Sequence, residues 1–221
     1  MTQPDPVSDA VGDYLKAIWL LAEDSTVSTK ELAQHLEVTA PSVTGMLTKL
    51  AKLELVHYEP YYGAKLTQTG RLAALRLLRR HRLLETFLID YLNYSWDEVH
   101  EEAEQMEHSM SDRFTERLAE KLGQPAYDPH GDPIPTAEGT LPQVRGKPLT
   151  ELKVGEQLEV TRIRSQDSTI LSYLFDLNIR PGVVLHLLGR EPFGKLLHLQ
   201  ISGEKIAISA ELAEKIEGKL S

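Results

Sequence analysis

The chain reads as mainly α with a small β domain, and three observations carry that reading. Residues 8–67 run helix, helix, tight turn, helix, hairpin. Residues 69–122 are helical and carry metal-donor side chains at helical spacing. A Pro-rich stretch then gives way to strand-like runs. The expected organisation is a winged helix-turn-helix in 1–72, a helical metal-binding domain in 73–124, a Pro-rich linker in 125–148 and a small β-barrel in 149–221.

Val11, Tyr14, Leu15, Ile18, Trp19 and Ala22 recur at helical spacing and predict an amphipathic helix over 8–22. Ser28-x-x-Glu31 is a capping box that opens a second helix, with Leu32, Ala33 and Leu36 on one face. After the short turn 37–39, Thr39 is a suitable cap and Pro41 a tolerated first-turn residue for a third helix over 40–53. Residues 56–59 and 64–67 flank Pro60-Tyr61-Tyr62-Gly63 and read as a two-stranded hairpin.

This order of elements is a winged helix-turn-helix, an arrangement that binds DNA. On the third helix Val43, Met46, Leu47 and Leu50 should pack inward, leaving Ser42, Gly45, Lys49 and Lys52 outside. That outer face lacks Arg, Asn and Gln, the side chains that make bidentate base contacts. Readout would rest on Thr39, Ser42 and Thr44, apolar contact by Pro41, and DNA shape. Lys49, Lys52 and Lys65 would hold phosphates. Tyr61 and Tyr62 would either touch the DNA backbone or pack locally.

A long helical pattern runs from Thr69-Gly70 to about Tyr91, and a capping box, Ser95-x-x-Glu98, opens a single helix over 96–122. On that helix His100, Glu104, Glu107 and His108 are spaced i, i+4, i+7 and i+8. At roughly 100° per residue they fall within about a quarter-turn arc. His81 and Glu85 repeat the i, i+4 spacing on the preceding helix, and Asp13 lies near the start of the first. Val99, Ala103, Met106, Met110 and Phe114 form an apolar stripe beside the arc, so the donors border the core. Partly buried carboxylates repel one another and lose solvation, and a divalent cation relieves both.

Six prolines between Pro125 and Pro148 mark a linker with an extended path. Residues 157–163, 183–188, 196–201 and 205–208 are strand-like, with a helix over 171–177 between the first two. Together they predict a compact β-barrel.

With no cysteine in 221 residues, disulfides, Cys-ligated zinc, iron–sulfur clusters and thiol catalysis are excluded. The formal charge of −9 argues against coating nucleic acid by bulk electrostatics, leaving a local contact surface. Lys+Arg against Asp+Glu are 6 and 9 in 1–75, 8 and 14 in 76–145, and 10 and 10 in 146–221, so the acidity sits with the candidate ligands. Met1-Thr2-Gln3-Pro4-Asp5 has neither a positive region nor an apolar run, and no stretch approaches the roughly 20 apolar residues of a membrane span, so a cytoplasmic protein without membrane contact is expected.

These residues resemble the diphtheria toxin repressor family of metal-dependent transcriptional regulators, in its three-domain form. The resemblance rests on Gly12-Asp13-Tyr14-Leu15-Lys16-Ala17-Ile18, Ala40-Pro41-Ser42-Val43-Thr44, Arg80-His81-Arg82-Leu83-Leu84-Glu85, the run from Val99 to Asp112, and Gly131-Asp132-Pro133-Ile134-Pro135. It implies a primary metal site from Asp13, Glu104, Glu107 and His108 and an ancillary site from His81, Glu85 and His100. It also implies an SH3-like C-terminal domain supplying a further ancillary ligand, for which Asp167 is the preferred donor. Iron-sensing relatives have Met and Cys where this chain has Asp13 and Glu104, whereas manganese-sensing ones have carboxylates. Hard oxygen donors suit Mn²⁺ independently of family, with Fe²⁺, Co²⁺ and Cd²⁺ as substitutes. Lys16 departs from the two-domain manganese sensors, which have Glu there, and favours two separated sites.

The expectation is therefore a manganese-dependent, DNA-binding regulator, not an enzyme and without a small-molecule substrate. It would repress metal-uptake genes from a palindromic operator as a homodimer built on the helical domain, since paired reading helices match a palindrome. Three alternatives stay open: an iron-responsive member of the family, a metallohydrolase, and a winged-helix regulator of an organic ligand. His100-Glu101-x-x-Glu104 departs from the H-E-x-x-H helix, and no nucleophile or phosphate loop accompanies it. His35, His57, His130, His186 and His198 are expected to be surface or packing residues.

Overall fold

The computed structural model describes residues 8–22, 25–143 and 146–221; residues 1–7, which carry the reading of the amino terminus, and 144–145 of the linker lie outside them. The chain divides into two compact units. One runs to His81 and takes in Glu107–Met110 and Pro135–Thr140, and the other comprises Arg82–Met106, Ser111–Ile134 and Leu141–Ser221.

The first unit contains α1 (Asp9–Ala22), α2 (Thr29–His35), α3 (Ala40–Lys52), β1 (Val56–Glu59), β2 (Gly63–Leu66) and the first half of α4 (Gln68–Leu92). Its core is drawn from the predicted inward faces, Leu15 and Ile18 of α1, Leu32 of α2, and Val43, Leu47 and Leu50 of α3, whereas Ala33, Leu36 and Met46, also expected inward, are half-buried. The Ser28 hydroxyl accepts from Glu31 N at 3.2 Å while Glu31 accepts from Ser28 N at 2.8 Å, so the capping box forms in both directions. Thr39 caps α3 by accepting from Ser42 N. The hairpin pairs Val56 with Leu66 and Glu59 with Gly63, and Val27 adds a bridge to Ala64. That bridge dictates a glycine. At Gly63 φ is +101°, and a Cβ would lie 2.3 Å from the Val27 carbonyl oxygen.

The second unit combines the rest of α4, α5 (Val99–Glu107, of which Glu107 is assigned to the first unit) and α6 (Asp112–Lys121) with the C-terminal β domain. Six antiparallel strands, β3 (Lys147–Pro148), β4 (Gln157–Ile163), β5 (Val184–Arg190), β6 (Leu196–Ile201), β7 (Glu204–Ser209) and β8 (Ile216–Leu220), are ordered β3-β8-β4-β5-β6-β7. Helices α7 (Ser168–Asp176) and α8 (Ala210–Glu214) complete it. Alternate strand residues Leu158, Val160, Leu185, Leu187, Leu197 and Leu199 build one core with Leu171, Leu174 and Trp96.

Three expectations need correction. The single helix over 96–122 is two helices: α5 starts at Val99 and ends at Glu107, and Ser111 caps α6 by accepting from Phe114 N. Ser95 and Glu98 do meet, but in a turn ahead of α5. Of the expected apolar stripe, Val99, Ala103 and Met110 are buried whereas Met106 and Phe114 are exposed. Residues 125–135 are not simply extended. Asp128 accepts from the backbone N–H groups of His130 and Asp132, both at 2.9 Å, and the loop curls so that Asp128, His130, Asp132 and Ile134 are buried.

Candidate metal centres and nucleic-acid interface

In the first unit, Asp13 on α1 meets the two residues at the end of α5. His108 Nε2 lies 2.8 Å from Asp13 Oδ1 and 3.7 Å from Glu107 Oε1. Ligand atoms from Asp13, Glu107 and His108 all lie within 4.8 Å of one another. The helix break creates this approach, because His108 follows the last helical residue in a turn. Gly12 admits the imidazole, since a Cβ there would stand 3.2 Å from His108 Cε1 and 3.1 Å from Leu77 Cδ2.

Glu107 is fully buried and spans two partners: Lys16 Nζ reaches Oε1 at 2.5 Å and His81 Nδ1 reaches Oε2 at 2.6 Å. Burial pushes its pKa up, but the hydrogen bond and charge of His81, with the Lys16 ammonium, outweigh this and hold the carboxyl below its ordinary value. Asp13 goes the other way: desolvation raises its pKa despite His108 and Lys16. Two carboxyl groups with an imidazole between them, one partly desolvated and one fully buried, are a donor set that a divalent cation stabilises.

In the second unit, Glu85 of α4 reaches His100 of α5, Oε1 to Nδ1, at 3.1 Å. Its other oxygen faces His130 Nδ1 at 3.9 Å, and Asp128 Oδ1 stands 3.9 Å from the same nitrogen. Ligand atoms of Glu85, Asp128 and His130 fall within 4.8 Å of one another, all three residues buried. The pKa of Asp128 is raised well above the ordinary carboxylate value by burial and then by the charges of Asp132 and Glu85, which Arg82 only partly offsets. Trp96 packs edge-on against His130, and Ile163 N donates to the His130 carbonyl at 2.8 Å, so the loop is anchored to the turn ahead of α5 and to the sheet.

The sequence-derived donors are thus sorted by the fold. Asp13, Glu107 and His108 come together, and Glu85 meets His100. His81 stands one turn before Glu85 on α4 and bonds Glu107. Glu104, half-exposed, lies 3.6 Å from His100 Nε2 and joins no three-residue donor group among the described residues. Asp167 caps α7, accepting from Thr169 N at 2.9 Å and Ile170 N at 3.3 Å, and likewise joins none. Asp128 and His130 form with Glu85 a candidate donor group that was not singled out from the sequence. His130 is buried and packs on Trp96, as one of the two expectations for it had it, and it also stands beside Glu85; Asp128-Pro129-His130-Gly131-Asp132 concentrates donors around a glycine, a signal hidden by the Pro-rich context.

On α3, Pro41, Ser42, Thr44, Gly45, Lys49 and Lys52 are exposed, as are Thr39 and Lys65. A Cβ on Gly45 would meet nothing within 4 Å, so that face is open. Thr44 Oγ1 donates back to Ala40 O at 3.0 Å, which leaves its methyl and oxygen lone pairs for an external partner. Tyr61 is 104% and Tyr62 80% exposed, so they project from the hairpin tip and do not pack locally.

A winged helix-turn-helix with clustered His and carboxylate donors defines a metal-dependent DNA-binding regulator. Residues 7–64 match the family model described as iron dependent repressor, N-terminal DNA binding domain; residues 67–136 match the iron dependent repressor, metal binding and dimerisation domain; and residues 147–220 match the FeoA domain. The diphtheria toxin repressor of Corynebacterium efficiens is 30% identical over 226 residues, covering 95% of this chain and 97% of that protein. A solved manganese-dependent transcriptional repressor in complex with manganese is 41% identical with a TM-score of 0.87, covering 96% of this chain and all of that one. The structure of ScaR with bound Zn²⁺ is 34% identical with a TM-score of 0.80 over 95% of this chain and 98% of that one. The chain belongs to the diphtheria toxin repressor family of metal-dependent, DNA-binding transcriptional repressors, which are not enzymes. No helix among the described residues is long and apolar enough to cross a membrane.

Proposed function

We propose that this repressor responds to manganese, binds a palindromic operator as a homodimer in the cytoplasm, and represses metal-uptake genes. The observation that carries the reading is the convergence of Asp13, Glu107 and His108, which ties α1 of the DNA-binding fold to the end of α5 using oxygen and nitrogen donors alone. Such a set suits Mn²⁺ or Fe²⁺ and offers no thiolate to soft ions; Co²⁺ and Cd²⁺ are substitutes. Asp13, Glu107 and His108 would hold the primary ion, with Glu104 as the fourth donor that the family resemblance implies. Glu85 would anchor an ancillary ion with Asp128 and His130, to which His81, His100 and Asp167 are the further donors expected from sequence. Thr39, Pro41, Ser42 and Thr44 would face bases, and Lys49, Lys52 and Lys65 phosphates.

A bound ion supplies the positive charge that these converging donors need. Asp13 then becomes fixed to the α5 end, and α1 with it. DNA affinity rises through this coupling, and by reciprocity operator DNA tightens metal binding. The test is operator binding titrated with Mn²⁺, Fe²⁺ and Zn²⁺ on the wild type and on Asp13→Ala and His108→Ala. The expected result is activation at lowest free concentration by Mn²⁺ and its loss in both variants. Activation at lowest concentration by Fe²⁺ would make the chain an iron sensor, and operator binding indifferent to metal and chelator would refute metal control.

A further inference from the structure

Lys16 lies three residues after Asp13 on α1, among Tyr14, Leu15, Ala17, Ile18 and Trp19, all buried, and its own side chain is only 9% exposed. A lysine is rarely so deep unless its charge is matched. The match is Glu107 Oε1, 2.5 Å from Nζ, while His81 takes Oε2 at 2.6 Å. Both oxygens of the most buried donor of the primary cluster are therefore already engaged by basic groups of the protein. A fully buried carboxylate is costly without a compensating charge, and Lys16 stands where that charge is needed.

We infer that Lys16 is a built-in counter-ion of the primary site, an internal cation that competes with the divalent ion for Glu107 and so sets how much metal is needed to fill the site. The inference rests on the assignment of Asp13, Glu107 and His108 as metal ligands. Its physical basis is charge: Lys16 stabilises the empty donor set and repels a dication brought to the same carboxylate. Whether the ammonium leaves Oε1 or stays beside it, occupancy of the site works against its charge. An arginine would keep the charge, whereas glutamine or methionine would remove it with little change in length.

The experiment measures Mn²⁺ affinity of the full-length chain by calorimetry, and thermal unfolding in chelator and in saturating Mn²⁺, for wild type, Lys16→Gln, Lys16→Met and Lys16→Arg. Lys16→Gln and Lys16→Met should bind Mn²⁺ about tenfold tighter or more and unfold at lower temperature than wild type in chelator, with the difference closing when metal saturates. Lys16→Arg should stay near wild type. Wild-type or weaker affinity in both neutral variants overturns the counter-ion role while leaving the metal site intact. Failure of the wild type itself to bind Mn²⁺ overturns the site assignment and this inference with it. A measurement on the unaltered chain covers variants that do not fold: titration with diamagnetic Cd²⁺ should shift the Lys16 Nζ resonance in step with occupancy. An unmoved resonance at saturation refutes the competition.

Discussion

Gly12 and His108 are neighbours across 96 positions of sequence, and the missing side chain of one makes room for the ring of the other. A Cβ on Gly12 would come within 3.2 Å of His108 Cε1 and 3.1 Å of Leu77 Cδ2. Gly12→Ala is helix-compatible, so its effect should fall on the imidazole. Metal affinity should drop severalfold while the fold loses no more than about 1–3 kcal/mol from overpacking. Calorimetric Mn²⁺ titration beside urea unfolding in chelator separates the two effects.

Removing Glu107 has a different signature, because it strands a buried lysine. Glu107→Ala should destabilise the metal-free protein by about 3–5 kcal/mol, the usual cost of deleting one partner of a buried ion pair. The double variant Glu107→Ala with Lys16→Met should recover much of that loss. Denaturant unfolding of the two single variants and the pair gives the coupling directly.

The pH dependence of the metal-free protein contains two opposed contributions. The folded pKa of Glu107 is depressed, so its contribution is present above the ordinary carboxylate range and disappears as pH falls through the folded value. The pKa of Asp128 is raised, so its ionisation destabilises the fold at neutral pH, and stability recovers as pH falls through the folded value. Asp128→Asn keeps an oxygen for the His130 and Asp132 N–H groups and removes the charge. In chelator it should be at least as stable as wild type at neutral pH and lose the stability gained on mild acidification, as thermal melts over pH would record. The strongly raised carboxyl of Asp128 also implies that an ion bound there would release protons, measurable by calorimetry in buffers of different ionisation enthalpy.

On the proposed DNA surface, Lys49→Ala and Lys52→Ala should each lower the salt dependence of operator binding, the slope of log K against log salt falling by about 1 for each phosphate that is no longer neutralised. Tyr61→Ala should weaken binding without moving the melting temperature, because a fully exposed tip residue contributes nothing to the core. A change in melting temperature would mean that the wing packs differently.

The DNA-binding half was legible because its signals are local: the Ser28 capping box, Pro41 in a first turn, and the spacing of Val43, Leu47 and Leu50 each act within a few residues. The donor types of the arc could be read off the sequence, but not where the fold places them. A helix drawn from 96 to 122 places four donors on one face, whereas α5 ends at Glu107 and α6 starts after Ser111, so that His108 leaves the helix in a turn and meets Asp13, while Glu104, inside α5, stands beside His100. Asp128 and His130 were illegible for the opposite reason. Their burial depends on a loop closed by long-range partners, among them Ile163 N and Arg82, whose guanidinium lies 3.6 Å from Asp128. Strand β8 also escaped notice: a short run around Gly218 carries a weak β signal, yet it pairs with both β3 and β4, and a Cβ at Gly218 would sit 2.3 Å from the Glu159 carbonyl oxygen.

The contact between Asp13 and His108 closes a loop of 95 residues. Closing so long a loop carries a large entropic cost and gives no local reward, so these donors assemble only after the helices that carry them have formed. An ion that binds the assembled donors and not the unfolded chain shifts the folding equilibrium by mass action. Scarcity of that ion would then thin the regulator's own population through proteolysis of the unfolded form, so that starvation lowers the protein's abundance as well as its grip on DNA.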